Sequence, residues 1–159
     1  MSDIKDLERF AAKFQAIEKY VPAFLEQLAV GEGVHAVAQA KKICKRENIV
    51  NTGNYRNSWQ TDKKATKSGN VYYVRISNNS DYATHLEYGF RSHFVPGHWE
   101  GNSFKYERGA KEGMYVGPPG GVVLGHYTLR RASKETMQTQ RVRLTRKLDK
   151  FFIDVMGAK

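Results

Sequence analysis

The hydrophobic period of this chain changes from three-and-four to two and back again, and that change constrains its fold more than any other feature. Ile4, Leu7, Ala11, Phe14, Ile17, Val21, Leu25 and Leu28 recur at helical spacing, with Phe10 and Phe24 widening the stripe. In the middle, Tyr72, Val74 and Ile76 alternate with Tyr73, Arg75 and Ser77, the period of a half-buried strand. Leu129, Ser133, Met137, Gln140, Leu144, Leu148, Phe151 and Val155 then return to helical spacing as the inner stripe of a last helix. The sequence therefore predicts an α+β fold: N-terminal helices, a small antiparallel sheet with a hairpin, a short helix, a long loop and a long C-terminal helix.

Local signals set the boundaries. Ser2 or Asp3 is a candidate N-cap for the first helix, and Pro22 inside its pattern should bend rather than stop it. Gly31 and Gly33 should break or bend the chain before a second helix, about 34–46, that carries Val37, Ala40 and Cys44 on one side. A turn over 48–53 leads into an extended stretch from Tyr55 to about Lys64, and Ser68-Gly69-Asn70 reads as the connection to the returning strand, 71–78. Asp81 can cap a short helix that ends at Gly89. Residues 90–125 are rich in glycine, hold three of the four prolines and show no sustained period, so they read as a long loop with an edge strand over 114–116 and a turn at Gly117-Pro-Pro-Gly-Gly121. At 159 residues the chain is the size of one domain, divided into 1–47 (helical), 52–89 (sheet core and short helix), 90–125 (loop) and 126–156 (closing helix).

The single cysteine, Cys44, excludes an internal disulfide and reads as a small buried apolar residue. No run approaches the ~18 apolar residues of a membrane span, and the first residues lack the apolar core of a signal peptide, so a cytoplasmic origin and no membrane partner are expected. The formal charge of +10 is unevenly distributed. Residues 41–67 carry eight basic groups against two acidic, and residues 126–159 nine against three, whereas residues 1–40 hold four against six. Such blocks suit phosphates or an acidic protein surface.

Catalytic chemistry has little to stand on. His85, Glu87, His93, His98 and His126 resemble metal ligands by type only, because their spacing matches no ligand pattern. The glycine-rich loop has no Gly-Lys-Ser or Gly-Lys-Thr, and no serine lies in a nucleophile elbow. No cofactor, metal or catalytic residue is expected. The basic residues of the last helix, Arg130, Arg131, Lys134, Arg141, Arg143, Arg146, Lys147 and Lys150, form a candidate electrostatic interface, with Lys41, Lys42, Lys45, Arg46, Lys63, Lys64 and Lys67 extending the positive field.

Two short motifs, Thr52-Gly-Asn-Tyr-Arg-Asn-Ser58 and Tyr82-Ala-Thr-His-Leu-Glu-Tyr-Gly89, flank the strand that ends at Asn78 and precede Leu129-Arg-Arg-Ala132. In that order they resemble the tail-completion family (head-tail joining, minor tail) of tailed bacteriophages and phage-like particles, named for the gene-ten product of a lambdoid coliphage. Its pattern is a helical region, a Thr-Gly-x-Leu-Arg-x-Ser turn and strand, Tyr-Ala-x-x-x-Glu-x-Gly, and a closing helix. Tyr55 stands where the family has leucine, and the stretch from Gly89 to Gly125 is longer than the family's usual link.

The resemblance implies a structural, non-enzymatic role, with Thr52, Gly53, Arg56, Ser58, Tyr82, Ala83, Glu87 and Gly89 maintaining the fold and Arg56 pairing with Glu87 or a neighbouring subunit. It implies a homo-oligomeric ring, a hexamer, at the neck or upper end of the tail. Partners would be the adjacent neck and tail-tube proteins, and duplex DNA passing through the lumen without being read. The particle would be a virion or phage-tail-like body assembled in the bacterial host cytoplasm. The competing readings are a stand-alone basic nucleic-acid-binding protein and a metal-dependent hydrolase built on His85, Glu87, His93 or His98.

Overall fold

A computed structural model describes residues 2–49 and 53–157, with the backbone alone for Ser2 and Asp3. The proposed caps Ser2 and Asp3, and the motif residue Thr52, therefore lie outside the described side chains. The chain divides into two compact units, one made of Met1–Asn79 with Leu129–Lys159 and one of Ser80–Thr128. The α+β class is as expected: a long first helix, small antiparallel sheets, a short helix and a long last helix.

In the first unit, α1 (Ser2–Arg46) is one helix of 45 residues that runs through Pro22 and through both glycines expected to break it. The glycines serve contact instead of a turn. A Cβ on Gly33 would collide with the Thr61 hydroxyl and lie 2.8 Å from Val74 Cγ2, and one on Gly31 would lie 2.6 Å from Lys147 Nζ. Sequence reasoning weighed glycine's helix propensity, whereas close packing of strand and helix decided its presence. Asn48, at φ 52°, ends α1 in the left-handed conformation, and the Ile49 N–H donates to the Cys44 carbonyl at 2.9 Å across the closing turn.

Gly53, at φ 81°, opens the one-turn helix α2 (Asn54–Asn57) where an extended strand was expected. The strand begins later, at β1 (Trp59–Thr61), and pairs antiparallel with β4 (Ile76–Asn78), while β2 (Thr66–Ser68) pairs with β3 (Val71–Tyr73) across Gly69. The outgoing arm holds four residues between its two paired segments and the returning arm holds two. The excess of two keeps the side-chain faces in phase. Asp62 spans the irregularity, donating its N–H to the Arg75 carbonyl at 3.1 Å and accepting the Arg75 N–H on Oδ2 at 2.8 Å. The predicted alternation holds from Tyr72 to Ile76, with Tyr72, Val74 and Ile76 half-buried and Tyr73 and Arg75 exposed, while Ser77, expected among the exposed set, is half-buried.

The core lies at the C-terminal half of α1, where Ala36, Ala40, Ile43 and Cys44 are buried with Ile49, Tyr55, Trp59 and Ala132. Tyr55 and Trp59 meet edge to face at 5.6 Å, and the Asn78 amide donates to the Tyr55 carbonyl at 2.7 Å. Burial pushes the Cys44 thiol above its ordinary pKa, against a hydrogen bond with Trp59 that acts the other way.

In the second unit, α3 (Ala83–Tyr88) starts after Tyr82 without a side-chain cap, so Asp81 does not fill the role expected of it. The segment 90–125, expected to be a long loop, instead carries five strands counted from Gly89. β5 (Gly89–Arg91) pairs with β9 (Val122–Leu124). β6 (His93–Glu100) is central, pairing through 97–100 with β7 (Ser103–Tyr106) and through 93–96 with β8 (Gly113–Val116), the expected edge strand. The peptide between Pro96 and Gly97 bonds to both sides, accepting from the Glu107 N–H at 3.1 Å and donating to the Glu112 carbonyl at 2.9 Å. Gly97, at φ 151°, has no room for a side chain against the Lys105 carbonyl. Four of the five strands have three or four residues, and the eight-residue β6 is interrupted by Pro96 and Gly97, so no sustained period of two shows in the sequence.

Replacing Gly33 by alanine is expected to lower stability by about 1–3 kcal/mol, because overpacking against Thr61 and Val74 outweighs the ~1 kcal/mol gain in helix propensity. The urea midpoint of the variant, at an unchanged slope, measures it.

Candidate assembly surfaces

The last helix, α4 (Thr128–Gly157), lies antiparallel against α1. Arg131 pairs with Glu47, Arg46 Nη2 with Glu135 Oε1 at 3.1 Å, Arg143 with Glu32, Phe24 stacks on Phe151 at 4.2 Å, and Lys13 Nζ donates to the Met156 carbonyl at 2.5 Å. The residue order of these contacts runs down one helix and up the other.

Arg143 is the polar centre of this pairing. Its Nε donates to Glu32 Oε1 at 3.1 Å and its Nη2 to Oε2 at 2.5 Å, a bidentate fork, while Nη2 also reaches the Thr136 carbonyl at 3.1 Å. Nη1 donates to His35 Nε2 at 3.0 Å, which Gln39 Nε2 also approaches at 3.0 Å. A ring nitrogen receiving two donors has its lone pair free, so His35 is neutral with its proton on Nδ1. Burial, reinforced by the Arg143 charge, lowers the His35 pKa below its ordinary value, with Glu32 opposing. The Glu32 and Arg143 side chains are 13% and 21% exposed, which makes this a partly desolvated pair.

The expected inner stripe of α4 is inward only in part. Leu129, Ser133, Gln140, Leu144, Phe151 and Val155 are half-buried, but Met137 is 70% and Leu148 42% exposed, while Ala132, Thr136 and Arg143 face inward beside the stripe. The stripe reading ranked residues by hydropathy and so placed arginine outside. A forked ion pair with Glu32, 111 residues away, reverses that order.

The eight basic residues therefore do not form one surface. Arg131 and Arg143 are engaged with Glu47 and Glu32, and the hydrogen bond to Glu47 raises the Arg131 pKa. Lys147 and Lys150 line a groove of about 430 Å³ between α1 and α4 beside Phe24 and Phe151. Arg146 is exposed. Arg130, Lys134 and Arg141 fall within a narrow arc of the outer face at helical spacing and are exposed.

The motif residues serve local geometry. Ser58 caps α2, with its N–H on the Asn54 carbonyl at 2.9 Å and its Oγ on Asn54 Oδ1 at 3.1 Å. Arg56, in the first unit, donates Nε to Asn57 Oδ1 at 3.4 Å. In the second unit Tyr82 precedes α3, Ala83 begins it and Glu87 is buried. Gly89, at φ 80°, ends α3 and pairs with Leu124 where a Cβ would strike the Val123 carbonyl. A Cβ on Gly53 would make only ordinary contacts, 3.6 Å from Asn57 Nδ2 and 3.9 Å from Arg56 Nη2, so its backbone conformation rather than crowding selects glycine.

The histidines do not converge. His85 and His93 flank Phe90 at 5.5 and 6.2 Å, and His98 lies 3.3 Å from Glu100 and 3.4 Å from Glu107. Among the described residues, no group of three or more His, Cys, Asp or Glu could hold a metal ion, and no helix is long and apolar enough to cross a membrane.

The family model described as "Bacteriophage HK97-gp10, putative tail-component" matches residues 7–89, just over half of the chain. The chain belongs to this HK97-gp10-like family. It is therefore a structural component of a bacteriophage tail, associated with the virion. The match runs from the first turns of α1 to the glycine that ends α3, so the five-stranded segment and α4 lie beyond the matched residues. Comparisons with curated proteins and with solved structures returned no match.

Because His35 must stay neutral in the fold, stability is expected to be full above pH ~6.5, the ordinary histidine value, and to fall as acidification through that value lets the unfolded state bind the extra proton. His35→Gln should flatten this dependence between pH 7.5 and 5 in thermal unfolding. Arg143→Met is expected to cost about 3–5 kcal/mol by stranding Glu32, with much of that recovered in Glu32→Gln/Arg143→Met.

Proposed function

We propose that the chain is one subunit of a closed ring, a hexamer, at the neck or upper end of the tail, acting by structure rather than catalysis. The observation that carries this reading is unburied surface. The chain exposes 12112 Å², whereas two separate compact units of these sizes would together expose about 9,600 Å². The surplus includes large apolar groups in both units, such as Ile4, Leu7, Phe10 and Phe14 in the first and Trp99, Tyr106, Tyr115 and Leu124 in the second. A ring of identical subunits joined head to tail needs two different surfaces per chain, and buries such groups on assembly.

The sheets support the same reading. Among the described residues each has two or three strands, so most strands offer an open edge to a neighbouring ring or to the tail tube. The segment beyond the family match is where this member would be fitted to its own partners. Lys63, Lys64 and Lys67 on the hairpin are exposed and available to the phosphates of a duplex in the lumen, without reading its sequence. A stand-alone nucleic-acid binder is less well supported, because the basic block on α4 is divided between internal pairs, a groove and the outer face.

Cryo-EM of purified particles is expected to show six copies closing a ring where the tube meets the head or its cap. Copies distributed along the tube, or a single copy, would remove the ring reading. Isolated subunits are expected to be monomers, assembled in the host cytoplasm only on a tail end, and light scattering before and after mixing with tubes checks this.

A further inference from the structure

We infer that neighbouring subunits are joined by the N-terminal turns of α1 docking on the outer face of α4 of the next copy. The inference rests on the ring reading and names its contact. Lys13 Nζ donates to the Met156 carbonyl near the C-terminal end of α4. Every described side chain from Ile4 to Ala12, the overhang before that contact, is exposed. Ile4, Leu7 and Phe10 within it are 66%, 67% and 53% exposed, and Phe14, just beyond Lys13, is 52% exposed and meets Phe10 edge to face at 4.8 Å. Spacings of three and four place Ile4, Leu7, Ala11 and Phe14 on one stripe, the pattern of a helix that packs along another helix.

A second seam lies on the same chain. Lys134, Met137, Arg141, Leu144, Leu148 and Phe152 follow one another at steps of three and four, on the side of α4 turned away from Arg143. Met137, Leu148 and Phe152 are exposed on it, Leu144 is half-buried, and the bases Lys134 and Arg141 are exposed beside them. Asp6, which also pairs with Arg9 at 3.7 Å, and Glu8 border the α1 stripe, with Glu18 one turn beyond Phe14. Apolar side chains meet apolar side chains, and acids flank one seam where bases flank the other.

Phosphates could satisfy Lys134 and Arg141 but not the apolar residues beside them, which favours a protein occupant over duplex DNA. A second copy of this chain is the occupant because the complementary stripe is on the chain itself. The two seams differ, so the contact is heterologous and propagates around a ring. The overhang, about 16 Å of helix, gives a contact smaller than a stable pair of proteins requires, so it holds only where each subunit is also seated on the tail end.

Cysteine pairs test the contact in assembled particles, since the native Cys44 is buried. Leu7→Cys combined with Met137→Cys, Leu144→Cys or Leu148→Cys is expected to give an oxidised ladder up to the ring size in at least one combination, while Leu7→Cys alone gives none. Lys134→Glu/Arg141→Glu is expected to reduce incorporation into particles at least tenfold, and adding Asp6→Lys/Glu8→Lys to restore it. Rings visible by cryo-EM with no ladder from any pair, or with cross-links from Leu7→Cys to a different protein, overturn this contact and leave the ring reading intact. Particles without a ring of this chain overturn both. Loss of incorporation that tracks duplex binding and is not restored by the charge swap assigns the seam to DNA and also overturns the contact.

Discussion

The fork between Arg143 and Glu32 fixes the rotation of α4 about its own axis, and the rest of the first unit follows from that rotation. With the guanidinium drawn inward onto Glu32, His35 and the Thr136 carbonyl, the residues on the same face, Ala132 and Thr136, must also face α1. Both are small, which leaves room for the Arg143 guanidinium to reach Glu32 and His35. The opposite face, with Met137, Leu148 and Phe152, has no choice but solvent or a partner. A partly buried ion pair adds little net stability over a well-packed apolar contact, so its value lies in selecting one rotation over others. Here the alternative rotation, with Met137 and Leu148 inward, is the more hydrophobic one, and the ion pair is what the chain has in place of it.

Much of the fold was legible before the structure, and what was missed has physical causes. The first stripe, the alternation over 71–76, the hairpin at Gly69 and the turn at Gly117–Gly121 all depend on local sequence, and all are present. Three features that depend on distant contacts were misread. Gly31 and Gly33 look like helix breakers until Lys147, Thr61 and Val74 are placed beside them. Arg143 looks like a surface charge until Glu32 is brought to it across 111 residues of chain. The strands of the second unit other than β8 escaped notice because a crossing glycine such as Gly97 and a turn glycine such as Gly101 look alike in sequence.

The motif residues show the same division. Gly89 was read as a helix stop, and it is one, but the Val123 carbonyl packed against it is the stronger reason for glycine there. Ser58 was placed on a strand and instead caps α2, a role its hydroxyl announces only once the turn at Gly53 is known. The basic block on α4 was legible as charge but not as surface, because a count of arginines does not say which are already paired.

An exposed heterologous seam carries a hazard, since subunits that add head to tail without closure make filaments. The turns of α1 from Ile4 to Ala12 are exposed and continue a helix whose later turns are packed, so their order rests on propagation from those turns rather than on contacts of their own. Docking must then supply the part of the ordering free energy that propagation does not, which lowers the affinity of a single pairwise contact below what its apolar area would give. In the proposed ring, where neighbours would be held side by side on a tail end, the same contact would become intramolecular in effect and the raised local concentration would meet the ordering cost. On that reading, the surface that would make the free protein polymerise would be active only where a ring can close.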